Sequence, residues 1–338
     1  MMNKFGEQLA KFLKVNNISV NEFAERIDTT PKNLIDILKG NIAISQNMIY
    51  NISFITGISV SYIENVENSF NRRKKIDEFL YKHNMSISDF INNFHYKEFS
   101  DLYKYQFTDI RDKYEIAEDI LKYLRYSNPE NIFKDDNKIF YKSNNDKPEL
   151  LALWLEHCYR VVNKQKVSEY KKENIEKVVS FIKEEACKKN FNKETLIKVF
   201  NENGIMLAIE PDLKGSKIRG AFKVLDNIPA IYITTKHKRI ADIYFSLLHE
   251  LAHCKSDFNR AKNGSIVSYI DNNEEEDYEV RADKTAFNWM VDDDKYENII
   301  KTKDYHCDNM CFLVYRLAID KIISFSSKLY QDNNILID

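Results

Sequence analysis

The chain has 338 residues, enough for two or three domains. Hydrophobic residues make up 43%, charged residues 30%, and Gly (7) and Pro (5) are scarce, which favours helix and excludes a β-sandwich or a disordered chain. A net charge of −2 excludes a generally basic polyanion binder, and the lack of any run of 18 apolar residues excludes a membrane-spanning helix. The start, MMNKFGEQLAKFLKVNN, has no long apolar core and no small-residue cleavage site, so no signal peptide is expected. The five cysteines lack the paired spacing of a secreted disulfide framework. Reduced thiols and a cytoplasmic location follow as expectations.

Residues 4 to about 70 read as a series of short helices. Phe5, Leu9, Phe12 and Leu13 recur at helical spacing. Ser19 opens a second helix as N-cap, with Glu22 at the capping-box position and Phe23, Ala24 and Ile27 on its apolar face. Thr30-Pro31 starts a third helix, with Leu34, Ile35 and Leu38 expected inside and Gly40 at its end. Two more short helices are expected around Gln46 to Ile55 and Ser59 to Val66. A short helix, a tight turn and a second helix over Ser19 to Gly40 form a helix–turn–helix pattern. In that arrangement the third helix lies in the major groove, with Thr29, Thr30, Lys32, Asn33 and Asp36 expected at its exposed start. The stretch ISVNEFAERIDTTPKNLIDILKGNIAIS, continuing to ITGISVSYIENVE, resembles the XRE superfamily and within it the HigA-type antitoxins. The resemblance implies a five-helix fold, operator DNA and a homodimer. Against it, residues 1 to 70 hold six basic and seven acidic residues, a poor balance for a phosphate binder. The run Arg72-Arg73-Lys74-Lys75 follows, and Arg72 and Lys75 are candidates for phosphate contact, with a solvated helix face as the competing reading.

Residues 71 to 149 read as a helical connector ending in a polar break from Ser127 to Glu149. Leu150 to Val162, Asn174 to Lys188 and Asn192 to Asn203 read as helices. GIMLAIEP, GAFKVLD and PAIYITT are short, β-rich and bounded by Gly, Pro or Asp, so three strands are expected. Helical spacing resumes from Arg239 to Lys255, again from about Glu274 to Val291, and finally from Asp308 to Leu329.

Inside the first of these helices, His249-Glu250-Leu251-Ala252-His253 places two of the seven histidines at i and i+4. Those positions share one helix face, with Cβ atoms roughly 6 Å apart, so both imidazoles can bind one zinc ion. Glu250 sits beside them as a general base. A third protein ligand is needed, and several carboxylates lie in EEEDYEVRADKTAFNWM, Glu274 to Met290. Glu279 is preferred over Glu274, Glu275 and Glu276. Asp283 follows it by four residues and can accept the other N–H of a ligating His. Zinc in such a site lowers the pKa of bound water towards ~7 and polarises a carbonyl, and an oxyanion donor is expected from among His237, Tyr269 and Tyr278.

The stretch IADIYFSLLHELAH, preceded by PAIYITTKHKR and followed by ExxAD, resembles the ImmA/IrrE family of zinc metallopeptidases over roughly Gly204 to Val291. The resemblance implies His249, His253 and Glu279 as ligands, Glu250 as base, and a zincin-like domain over 150–338. One departure is Trp289-Met290-Val291-Asp292, which has no proline where that family's second helix often ends. The expected fold is mainly α with a small β-sheet (α+β). It would comprise a helix–turn–helix domain over 1–70, a connector over 71–149 and the zinc domain over 150–338. Together the two resemblances imply a transcriptional regulator whose peptidase cuts a regulatory protein (a repressor, an antitoxin or the chain itself), in a mobile-element, stress or toxin–antitoxin setting. The alternative is a non-enzymatic antitoxin or repressor with a structural or sensory zinc. A second metal at His306, Cys307 and Cys311 is disfavoured, because Phe312, Leu313 and Leu317 beside them suggest core packing.

Overall fold

A computed structural model of the chain describes residues 4–107, 112–134, 147–236, 238–269 and 277–337. It is 62% helical with one four-stranded mixed sheet, the mainly α fold with a small sheet that composition and pattern imply. The chain divides into two compact units, Met1–Ile91 with Phe107–Asn131, and Asn92–Gln106 with Ile132–Asp338. The stretch 71–149 is therefore shared between both.

The first unit opens with α1 (Lys4–Val15), α2 (Val20–Arg26), α3 (Pro31–Leu38), α4 (Gln46–Thr56) and α5 (Val60–Lys82). Four of these start on a hydroxyl. Ser19, Thr30, Ser45 and Ser59 each accept a hydrogen bond from the backbone N–H three residues on, satisfying a donor that the helix leaves free. Phe5, Leu9, Phe23, Leu34, Ile52 and Ile63 anchor one core. On α3 the inward residues are Leu34, Ile37 and Leu38, whereas Ile35 is 39% exposed. Leu34 and Leu38 are inside as expected, and Ile37 takes the place expected of Ile35. The fifth helix does not stop at Val66. No Gly, Pro or cap interrupts the chain there, and Ile76, Phe79 and Leu80 bury a further stretch of the same helix. The middle of the chain continues as α6 (Ile87–Asn93), α7 (Tyr96–Tyr103), α8 (Lys113–Leu124) and α9 (Glu130–Lys134).

In the second unit, α10 (Pro148–Val162), α11 (Asn174–Cys187) and α12 (Lys193–Glu202) precede β1 (Met206–Glu210), β2 (Ile218–Leu225) and β3 (Ile228–Thr234). Then come α13 (Ile240–Ser256), α14 (Phe258–Ala261), β4 (Ile266–Tyr269), α15 (Asp277–Met290), α16 (Asp293–Thr302), α17 (Met310–Ile319) and α18 (Lys328–Asn333). Strand order is β1-β3-β2-β4, with β1 parallel to β3 and the other pairs antiparallel. A two-residue turn, Asp226-Asn227, joins β2 to β3 with both φ angles positive, the geometry that matches strand twist. Three of the strands match the expected ones; β4 is additional, its four residues all buried and without alternation. The single helix expected from Asp308 to Leu329 is two, α17 and α18, because Ser327 caps a new helix after an irregular stretch. Among the described residues no helix is long and apolar enough to cross a membrane. All five cysteines are free thiols.

The fourteen-residue α15 packs along α13, and α13 also lies against β2 and β3. Every α13 residue from Ile243 to Cys254 is buried. That position, between a sheet and a helix, brings its polar residues against groups from three elements.

Candidate metal centre

On α13, one turn of helix sets His249 above His253, and both imidazoles are fully buried. Across from them α15 supplies Glu279. Its two oxygens lie 3.2 Å from His249 Nε2 and 3.2 Å from His253 Nε2, and the two Nε2 atoms are 3.1 Å apart. Donors about 2.0–2.1 Å from one ion in a tetrahedral array stand roughly 3.3–3.4 Å apart. The three side chains are thus spaced like three corners of such an array. Among the described residues they form the one group of three such side chains able to hold a metal ion.

The outer ring nitrogens constrain what the inner ones can do. His249 Nδ1 is 2.6 Å from Asp283 Oδ1, and His253 Nδ1 is 3.0 Å from Asp257 Oδ2. A carboxylate only accepts, so each Nδ1 carries the proton and donates it. A ring so held, when neutral, turns an Nε2 lone pair towards Glu279. Two lone pairs and a carboxylate at 3.1–3.2 Å repel one another unless a cation or protons lie between them. The residues present fit a divalent cation for that reason. Both outer carboxylates are held in turn: Arg219 Nη2 is 3.5 Å from Asp283, and Arg281 Nη2 is 2.5 Å from Asp257.

Charge in this buried cluster follows the same contacts. Burial would lower the His253 imidazole, but Asp257 and Glu279 outweigh it and raise its pKa to about 9. Burial and Arg219 likewise oppose charge on His249, and Asp283 and Glu279 overcome them, so its pKa also lies above the ordinary value. Glu279 lies far below the usual carboxylate range, because the two imidazoles prevail over burial. Glu250 goes the other way. Burial pushes its carboxyl up, and His249 and His253 only partly oppose that.

Glu250 is fully buried and neither of its oxygens makes a well-formed hydrogen bond, the Ser268 hydroxyl beside it acting only weakly in that role. Leaving a polar group so costs about 1–3 kcal/mol or more, and folding alone would replace it. Its place is shaped by Gly220 on β2, where a Cβ would come 2.6 Å from Glu250 Oε1 and 2.9 Å from the Tyr232 carbonyl oxygen. Opposite Gly220 on the neighbouring edge strand is Ser268.

The structure brings together five residues singled out in the sequence: His249, Glu250, His253, Glu279 and Asp283. Glu274, Glu275 and Glu276 lie outside the described residues, as does His237. Of the other oxyanion candidates, the Tyr278 ring centroid is 5.9 Å from that of His253, and Tyr269 pairs with Ile218 across the sheet. Four residues escaped the sequence reading. Asp257 was within reach of it, since it follows His253 by four residues as Asp283 follows Glu279. Arg281 left no comparable signal. Arg219 and Ser268 also left none, because they sit on strands remote in sequence. Arg219 is the extra residue where the β2–β4 register shifts between Ile218 and Gly220, a bulge that re-aims its side chain towards α13 and α15.

The helix–turn–helix candidates are used differently from one another. Thr30 Oγ1 caps α3, and Asn33 Nδ2 donates to Thr29 Oγ1 at 2.8 Å, so these side chains first serve the turn. Asp36 accepts from Asn41 Nδ2 at 3.2 Å. Thr30 and Lys32 are exposed, while Thr29, Asn33 and Asp36 are half-buried. All five line an open hollow of about 720 Å³ together with Glu25 and Asp28. Three carboxylates and one lysine make it an acidic surface. Arg72 is tied to Glu118 at 2.7 Å and Arg73 to Asp112 at 2.7 Å, so only Lys74 and Lys75 of that basic run are exposed without a charge partner among the described residues. Comparison of the chain with protein-family models, with curated proteins and with solved structures finds no match, so what this site can do is read from its geometry.

Proposed function

We propose that the second unit is a zinc-dependent peptidase acting on a regulatory protein, and that the first unit is the helix–turn–helix module that brings it to its target. The observation that carries this reading is Glu250. A buried carboxylate without a well-formed hydrogen bond, pressed by burial towards its protonated form, lies beside two imidazoles and a second carboxylate set at metal-ligand spacing. A structural site has no use for such a group. His249, His253 and Glu279 would hold the ion, and Asp283 and Asp257 fix the two rings in the tautomer that offers Nε2. When bound, zinc supplies a Lewis acid that polarises a peptide carbonyl and acidifies water. Glu250 takes the proton of the attacking water and hands it to the leaving amine. Burial raises its pKa above the ordinary carboxylate value. The resemblance to ImmA/IrrE peptidases assigns the same roles to the same positions.

A second reading keeps the metal and drops the chemistry: a repressor or antitoxin with a structural or sensory zinc. The near-complete burial of His249, Glu250 and His253 favours it. Glu250→Gln separates the two. That variant keeps size and removes the base, so it should retain the fold and one zinc per chain by elemental analysis. A peptidase should lose ~10²–10⁴-fold in cleavage of its partner, and in cells the partner should persist at full length. Glu279→Gln should lose metal and cleavage together. If Glu250→Gln and wild type leave the partner equally stable, the peptidase reading falls and the metal-bearing regulator stands.

A further inference from the structure

Ser268 lies on the edge strand β4, fully buried, with its Oγ 3.1 Å from His249 Nε2. The same nitrogen is 3.1 Å from His253 Nε2 and 3.2 Å from Glu279 Oε2. Three oxygen or nitrogen atoms thus surround His249 Nε2 at one common spacing, which matches the roughly 3.3 Å between tetrahedral donors. Two of the three belong to the candidate ligands. The third is the Ser268 hydroxyl. Ser268 also pairs with Gly220, the residue whose missing side chain makes room for Glu250. The hydroxyl acts both on the Glu250 carboxyl and on His249 Nε2, between the candidate base and a candidate ligand.

We propose that the Ser268 hydroxyl is the fourth protein donor of the resting metal centre. This rests on the metal reading given above and deepens it. With His249 Nε2 committed to the ion, the Ser268 O–H needs another acceptor. The Glu250 carboxylate is the acceptor beside it, since the Ser268 hydroxyl already acts on that group as a hydrogen-bond partner. A centre with four protein donors is closed, whereas hydrolysis needs an open position. The resting protein is then capped by its own edge strand, and the base is held by the cap. Activity begins when a bound partner displaces Ser268 from that position.

Cobalt(II) is the probe, because its absorption bands report the number and kind of its donors. The full chain is stripped of metal and loaded with one equivalent of Co²⁺, as wild type, Ser268→Ala and Ser268→Cys. Ser268→Ala is expected to shift the visible bands and weaken Co²⁺ binding ~10-fold. Ser268→Cys should bring in an intense near-ultraviolet sulfur-to-metal charge-transfer band absent from wild type. Spectra of wild type and Ser268→Ala that superimpose, with no charge-transfer band in a Ser268→Cys protein that holds its Co²⁺, would overturn the role of Ser268 and leave the three-ligand centre standing. Failure of wild type to take up Co²⁺ would overturn the centre and the cap together.

Discussion

At the scale of single residues, the outer carboxylates are the informative ones. Asp283 and Asp257 touch no metal-facing atom, yet each fixes one imidazole by accepting from its Nδ1 at 2.6 and 3.0 Å. Asp283→Ala and Asp257→Ala should each weaken metal binding ~10–100-fold without abolishing it, whereas His249→Ala should remove it. Titration of the metal-free protein with zinc against a competing chelator measures this. Equal affinity in Asp257→Ala and wild type would remove Asp257 from the centre. The histidine pair and the Glu279/Asp283 pair were legible because helical spacing states which residues share a face. Arg219 and Ser268 were not, since only strand pairing across β2 and β4 brings them to α13.

At the scale of elements, the N-terminal helices show how local signals and tertiary contacts divide the work. Caps at Ser19, Thr30, Ser45 and Ser59 fix where helices begin. Where α5 ends is decided by burial of Ile76, Phe79 and Leu80, which a window ending at Val66 does not contain. Its continuation also redirects the basic run. Arg72 and Arg73 face α8 and meet Glu118 and Asp112 there, with the Arg73 guanidinium 5.5 Å over the Tyr114 ring. If the first unit binds an operator, it should do so as a dimer on an inverted repeat with half-sites about 10 bp apart. Lys75→Ala should then flatten the salt dependence, Lys32→Ala should reduce discrimination between sequences, and Arg72→Ala should leave the salt slope unchanged. Gel retardation across several salt concentrations tests all three. No retardation at low salt would instead assign this acidic module to protein docking.

For the molecule as a whole, the division into two units makes metal binding a local matter. The candidate metal donors all come from the second unit, as do both tryptophans, Trp154 and Trp289. A ligand at 1,000 times its Kd adds about 4 kcal/mol of stability to the folded form that binds it. Removing metal with a chelator should therefore lower the melting transition seen by tryptophan fluorescence, and zinc should restore it. The part of the helical circular-dichroism signal that belongs to the first unit should melt at the same temperature with and without metal. A fluorescence transition unmoved by zinc would contradict a site built from α13 and α15.

The sequence by itself determined the helices with periodic apolar faces, their hydroxyl caps, three of the four strands, and which residues of α13 and α15 could bind a metal. All of these depend on neighbours a few residues apart, where backbone geometry alone sets who meets whom. The tertiary structure decided the rest. It chose Ile37 over Ile35 for the core, extended α5, split the last helix and added β4. It also placed Arg219, Gly220 and Ser268 around His249 and Glu250. Those contacts join positions about 20 to 30 residues apart through the pairing of β2 with β4 and their packing on α13. That is a property of the assembled sheet, which no local spacing encodes.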